Sequence, residues 1–190
     1  MFITNFCKYS LLRIFLNCIT KRKIYNKDYL YTYYTSLLFQ LVILPILNIL
    51  YYFNKVSYNY IIISSINYFL TDFPEIFYSK LYKYFTHHII SINILLGCFI
   101  IPDNLKKNAL INSVLLELGS SVMSLDVLVK CNYYKPFIFG SSRLLSIVNG
   151  FYIVYNVKNK FLKFMLLCLI ILLTNNNYKI FKSLIYKMNK

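Results

Sequence analysis

Six stretches of mostly apolar residues follow one another along this chain with only short polar segments between them, and that succession limits the fold more than any motif does. A helix crossing ~30 Å of hydrocarbon needs ~20 mostly apolar residues, with ~17 a working minimum. Residues 36–53, 57–73, 84–101, 108–129 and 137–157 satisfy that length, and 161–174 does so only by borrowing from its flanks. Pro74 and Pro102 directly follow two of the stretches, where a helix is expected to stop. Pro45 lies inside the first, where packed neighbours can satisfy the backbone groups it frees. Segment 2–20 is apolar but interrupted by Lys8 and Arg13, and it ends at Lys21-Arg22-Lys23. With no small-residue cleavage site, it reads as a signal anchor or interfacial helix rather than a removed leader. The expected fold is all-α, a polytopic transmembrane bundle of six spans, or seven if 2–20 crosses. Its parts are an apolar and basic segment at 1–30, a membrane domain at 31–175 and a basic tail at 176–190.

Composition points the same way. The chain is 58% hydrophobic and 14% charged, whereas soluble domains are roughly 45–50% apolar and about a quarter charged. The net charge of +15 would suggest nucleic acid in a soluble protein. Here the bases sit between apolar blocks, as in Lys106-Lys107 and Lys158/Lys160/Lys163, where they anchor loops against anionic head groups. No nucleic-acid partner is expected. Five cysteines, Cys7, Cys18, Cys98, Cys131 and Cys168, are widely spaced without a CxxC pair, so neither a disulfide framework nor a thiolate metal site is indicated.

Charge asymmetry gives an orientation. Twelve Lys and Arg fall in 21–35, 73–83, 130–136 and 175–190, against six in 54–56, 102–107 and 158–163. The positive-inside tendency therefore places the C-terminus in the cytosol. Tyrosines gather near span ends, among them Tyr51, Tyr52, Tyr82, Tyr84, Tyr133 and Tyr134, as an interfacial aromatic belt requires.

The polar residues inside the spans carry the functional information. An ionised side chain at mid-bilayer costs about 2.5–3.5 kcal/mol on insertion scales, so it should face protein or a wet cavity. Stretch 84–101 opens with His87-His88, followed by Ser91. Adjacent helical residues point about 100° apart, so the two rings diverge; an ordinary pair of interfacial histidines is the competing reading. Stretch 108–129 carries Glu117, Ser120, Ser121 and Ser124 at i, i+3, i+4 and i+7, one stripe of a helix, with Gly119 available for close approach of a neighbour. Stretch 137–157 carries Ser142, Arg143, Ser146, Asn149 and Gly150, and 57–73 carries Ser64, Ser65, Asn67 and Asp72. Four successive helices with polar seams are most simply satisfied by a common interior. Arg143 is expected to pair there with Glu117 or Asp72, the alternative being that it snorkels to a head group. His87, His88, Asp72 and Glu117 are suitable metal-ligand types, but adjacent histidines on one helix rarely aim at one ion, and no metal is expected.

Three segments taken in order resemble a known family. Asn67-Tyr68-Phe69-Leu70-Thr71-Asp72, Tyr82-Lys83-Tyr84-Phe85-Thr86-His87-His88 and Leu115-Leu116-Glu117-Leu118-Gly119-Ser120 are similar to the TLC domain. That domain is shared by ceramide synthases, translocating-chain-associated membrane proteins and several membrane-homeostasis proteins. Its pattern is an aspartate ending one span, a His-His pair opening the next, and an acidic residue with a nearby Ser or Asp in the one after. The resemblance runs over roughly 31–173 and implies a barrel-like bundle of six or more helices around a polar cavity, in the endoplasmic reticulum or a related membrane. In the ceramide synthases the His-His pair lines the chamber in which acyl-CoA acylates a sphingoid base. The resemblance thus implies His87 and His88 as catalytic residues, with Asp72 in support, if the chain is an enzyme. Glu117 and Ser120 stand where that branch has D-x-x-D, which is more like the non-synthase branch, linked to lipid composition and sensing.

Two functions follow as expectations. One is lipid handling or membrane lipid homeostasis, with Glu117, Ser120, Ser121, Arg143 and Asn149 lining a cavity that holds a lipid. The other is a sphingosine N-acyltransferase-like enzyme, with a histidine as base or nucleophile and acyl-CoA as co-substrate rather than a resident cofactor. The expected partners are membrane lipids, with homo-oligomerisation left open.

Overall fold

The computed structural model describes residues 36–78, 82–129 and 134–188, so the expected anchor within 1–30 lies outside the described residues. Those residues are all-helical, without a strand. The helices are α1 (Ser36–Tyr52), α2 (Tyr58–Tyr78), α3 (Tyr82–Cys98), α4 (Asp103–Val129), α5 (Tyr134–Asn156) and α6 (Lys160–Met188).

Local chemistry sets most of the boundaries. The end of α1 is a Schellman motif: Lys55 N–H bonds the Leu50 carbonyl at 2.8 Å and Asn54 N–H bonds that of Tyr51 at 2.9 Å. Asn54 makes the turn with φ 54°, a left-handed conformation that asparagine tolerates better than most residues. Ser57 then caps α2, its Oγ accepting from Tyr60 N–H at 3.2 Å, and Asn159 Oδ1 caps α6 by accepting from Leu162 N–H at 3.0 Å. Before α4, the Pro102 carbonyl takes Leu105 N–H at 2.9 Å, so the chain breaks where this proline predicts a stop.

Three elements depart from expectation. Pro74 does not end α2, which continues to Tyr78; a proline in the last turn removes one N–H while the residues beyond it keep helical bonds. Around Pro45 the accommodation is local: Phe39–Ile43 form a π-helical turn, and Leu44 N–H bonds the Phe39 carbonyl five residues back. The wide turn lets two consecutive side chains, Phe39 and Gln40, both be buried. Finally, α6 does not stop at Thr174 but runs 29 residues, so the expected tail at 176–190 is helical through Met188.

Each helix packs on two neighbours, in the ring order α1–α2–α3–α6–α5–α4 and back to α1. The contacts show antiparallel neighbours. Phe39 stacks on Tyr68 and Tyr51 meets Tyr58 across α1 and α2, Tyr58 Oη donates to the Cys98 carbonyl while Phe69 meets His88 across α2 and α3. On the other half, Asn108 faces Asn149 while Ser120 faces Arg143 across α4 and α5. One end of the ring is filled by an apolar plug that includes Leu44, Ile61, Ile62, Leu105, Leu110, Val157 and Leu162. At that same end Lys106 lies 5.2 Å over the Tyr58 ring and Lys107 5.6 Å over Tyr52, which places basic and aromatic residues together at the helix ends.

The outside of the ring is greasy. Leu144, Leu145, Val148, Phe151 and Tyr152 are exposed on α5, whose buried face holds Ser142, Arg143, Ser146 and Gly150. Exposed Ile46 and Ile49 on α1, Leu96 on α3, and Phe164, Ile171 and Leu172 on α6 continue the pattern. Two helices, α5 and α6, are long and apolar enough to cross a membrane.

Candidate functional site

Arg143 sits on the buried face of α5 and reaches across to α4. Its Nη1 donates to the Leu116 carbonyl at 2.7 Å and its Nη2 to Ser120 Oγ at 2.8 Å, while Ser120 Oγ donates to the same Leu116 carbonyl at 3.2 Å. The guanidinium also lies 4.9 Å from the centre of the Phe139 ring. Gly119 makes this approach possible. A Cβ there would stand 2.5 Å from Ser142 Oγ and 3.1 Å from Arg143 Nε. The expected close approach at Gly119 is thus met, and α5 is the neighbour.

Glu117 belongs to the turn that Arg143 clasps and is 7% exposed. The two charges interact electrostatically, but among the described residues the direct partners of the guanidinium are the Leu116 carbonyl and Ser120 rather than the carboxyl group. The expected Arg143–Glu117 pair is therefore a through-space coupling; periodicity places both on facing seams without fixing which atoms meet. Glu117 instead takes a hydrogen bond from the Gln40 side chain, which the π turn of α1 turns inward. The side chain of Asp72, the other expected partner, lies outside what the structure describes.

The histidines complete the layer from α3. His88 is buried, with its ring 5.1 Å from Phe69 and 6.1 Å from Phe73. His87 is half-buried, 5.8 Å from His88 and edge-on to it. Glu117 interacts electrostatically with His88, and His87 with Arg143, which links the four side chains across three helices. Among the described residues no three His, Cys, Asp or Glu side chains group as metal ligands.

A cavity of about 80 Å³ lies inside the ring, and all six helices contribute to its wall. The wall is mainly apolar, with Phe39, Leu95, Leu116, Ile153, Leu166 and Ile170 among its residues. Of the residues expected to line a cavity, Glu117 alone does so. Ser120 is engaged with Arg143, Ser121 donates to the Leu118 carbonyl at 2.7 Å, and Asn149 is an interhelical clamp. Asn149 Nδ2 donates to the Asn108 carbonyl at 2.8 Å and its Oδ1 accepts from Asn108 Nδ2 at 3.2 Å. Neither histidine is part of the wall.

Three residues that sequence reasoning passes over belong to the site. Gln40 is a single neutral polar residue in an apolar stretch, and nothing local marks the π turn that aims it. Asn112 and Asn177 both face the cavity. Asn177 falls in Asn175-Asn176-Asn177, just past the last apolar run, where hydropathy reads a tail. A helical continuation of the inward positions Ile170, Leu173 and Thr174 by three and four residues would have reached it.

Comparison of the chain with protein-family models, with curated proteins and with solved structures found no match.

Proposed function

We propose that this chain is a multi-pass membrane protein in which all six helices cross the bilayer, and that its central cavity holds part of a lipid, in lipid handling or membrane lipid homeostasis of the TLC-domain type. The observation that carries the reading is the inverted distribution on α5: Ser142, Arg143 and Ser146 inside, Leu144, Leu145, Val148 and Phe151 outside. In water that outer face would be costly at about 25 cal/mol per Å² of apolar surface, whereas lipid solvates it. The buried charges then avoid hydrocarbon, Arg143 by reaching to α4 and Glu117 by facing the cavity and Gln40 of α1, as intramembrane charges do. A ring of six antiparallel helices suits the barrel that the TLC resemblance implies. The charge bias of the connecting segments favours a cytosolic C-terminus, and the family resemblance favours the endoplasmic reticulum.

Size sets what the cavity can take. At about 80 Å³ it is well under the ~300–1,000 Å³ of sites that enclose a drug-sized molecule, so it fits the end segment of a lipid, a small head or the first carbons of one chain, rather than a whole chain.

An N-acyltransferase is the second reading, because His88 interacts electrostatically with Glu117 and lies edge-on to His87, and either ring could serve as base or nucleophile. Neither histidine is part of the cavity wall, His88 packing behind the wall residue Phe69 and against Phe73, and this favours the non-catalytic one. Purified protein given acyl-CoA and a long-chain base, beside a His87→Ala/His88→Ala variant, separates the two. Lipid handling predicts a copurifying lipid and no amide product from either protein; product from the parent alone would establish the enzyme.

A further inference from the structure

The cavity wall carries polar atoms that the bundle leaves without hydrogen bonds, and all of them are acceptors. Glu117 Oε2, Asn177 Oδ1 and Asn112 Oδ1 are buried with no donor. The first two belong to side chains only 7% and 5% exposed. Buried acceptors are seldom left unmade in folded proteins, because each keeps its desolvation cost with nothing to offset it.

Glu117 and Asn177 also share a depth. A Cβ at Gly140 would meet Phe181, and one at Gly150 would meet Ile170, so between them Arg143 of α5 lies opposite the turn of Asn177 in α6. Arg143 in turn grips the residues on either side of Glu117. The two oxygens therefore flank one level of the cavity, above a wall of Leu95, Leu166 and Ile170.

The charge balance selects the donor. With both histidines counted as neutral, the formal charges of Glu117 and Arg143 cancel among the described residues of this layer. An ammonium group would add an unbalanced positive charge within hydrocarbon, whereas a hydroxyl supplies a donor and no charge. We propose that the cavity binds the hydroxyl end of a neutral single-chain lipid, its O–H donating to Glu117 Oε2 beside Asn177, with the first carbons of the chain along the apolar wall. This rests on the lipid-holding reading above and specifies its ligand.

The test uses the full chain, purified and delipidated in detergent, with tritiated 1-hexadecanol retained on gel filtration as the readout. Unlabelled 1-hexadecanol, 1-methoxyhexadecane, hexadecylamine and hexadecane are the competitors. The alcohol should bind once per chain, and the methyl ether, which keeps the oxygen but loses the donor, should compete about tenfold more weakly, as the loss of one buried hydrogen bond to a carboxylate implies. The amine should also compete more weakly than the alcohol. Glu117→Met, which removes the acceptor of that hydrogen bond, should narrow the alcohol-to-ether ratio several-fold; if that variant does not fold, the ratio on the parent protein still decides. Equal competition by alcohol and ether, or tighter competition by the amine, would overturn the hydroxyl assignment while leaving a lipid-holding cavity intact. Binding by none of the four, with no copurifying lipid, would overturn both.

Discussion

Arg143 links the seam that the sequence displays to the site that the fold builds. It holds two acceptors on α4 and balances Glu117 without touching it. Arg143→Met would take the guanidinium donors from Ser120 Oγ and the Leu116 carbonyl, leaving that carbonyl only the Ser120 hydroxyl as a side-chain donor, and would leave a carboxyl group without its countercharge. Removing one partner of a buried charged pair typically costs 3–5 kcal/mol, and the looser coupling here places the expected loss at about 3 kcal/mol. Arg143→Lys should recover only part, since an ammonium cannot span both acceptors as the planar guanidinium does. Adding Glu117→Gln to Arg143→Met should restore some stability, because the stranded charge is gone. Thermal unfolding midpoints in detergent, compared across that cycle, provide the check: strictly additive effects would mean that the two charges do not sense one another. This contact also shows how far residue-level reading reaches. Spacing alone puts Glu117, Ser120 and Ser121 on one stripe and Arg143 on a facing seam. Which of them the guanidinium meets depends on the depth at which α4 and α5 pass, and Gly119, not charge, sets that.

At the level of elements, the α4–α5 crossing is the tightest in the fold that carries polar groups. Gly119 brings the backbone of α4 to within 2.5 Å, from where its Cβ would stand, of Ser142 Oγ. Gly119→Ala would force Ser142 or the helix itself to move, and overpacking of this kind costs typically 1–3 kcal/mol. Ser142→Ala in the same chain removes the clashing oxygen and should return part of that loss, whereas it should change little against glycine. A destabilisation of Gly119→Ala that Ser142→Ala leaves untouched would place the strain elsewhere, with Arg143 as the next atom met. The role of Gly119 is legible in the sequence, since a small residue next to polar ones on an apolar helix invites close packing. The π turn before Pro45 and the length of α6 are the opposite case. A hydrogen bond that reaches five residues back instead of four leaves no trace in hydropathy, and α6 stays helical beyond Thr174 because Asn177 and Leu184 turn inward, a tertiary reason that a window over neighbouring residues cannot contain.

The described residues form two consecutive three-helix units laid side by side, α1–α2–α3 and α4–α5–α6, closed at the α1–α4 and α3–α6 seams. The number of helices can be read from the apolar blocks, but the closure cannot. It follows from Gln40 meeting Glu117 and Gly97 meeting Leu166, pairs 77 and 69 residues apart in sequence. If every helix crosses the bilayer, the turns around Asn54, Asn104 and Lys158 lie on one side and Lys182 on the other. The rise of α6 between residues 160 and 182 is ~33 Å at ~1.5 Å per residue, more than the ~30 Å of hydrocarbon. Asn54, Asn104, Lys158 and Lys182 are all exposed, so each can be replaced by cysteine without disturbing the interior. In a background without the native cysteines, a membrane-impermeant maleimide added outside sealed, oriented vesicles should label Asn54→Cys, Asn104→Cys and Lys158→Cys from one face and Lys182→Cys from the other. The positive-inside bias assigns that second face to the cytosol. Labelling of Lys182→Cys from the same face as Asn54→Cys would leave α6 unable to span. The ring would then have to lie in or on the interface, with the exposed Leu144, Leu145, Val148 and Phe151 covered by something other than lipid tails.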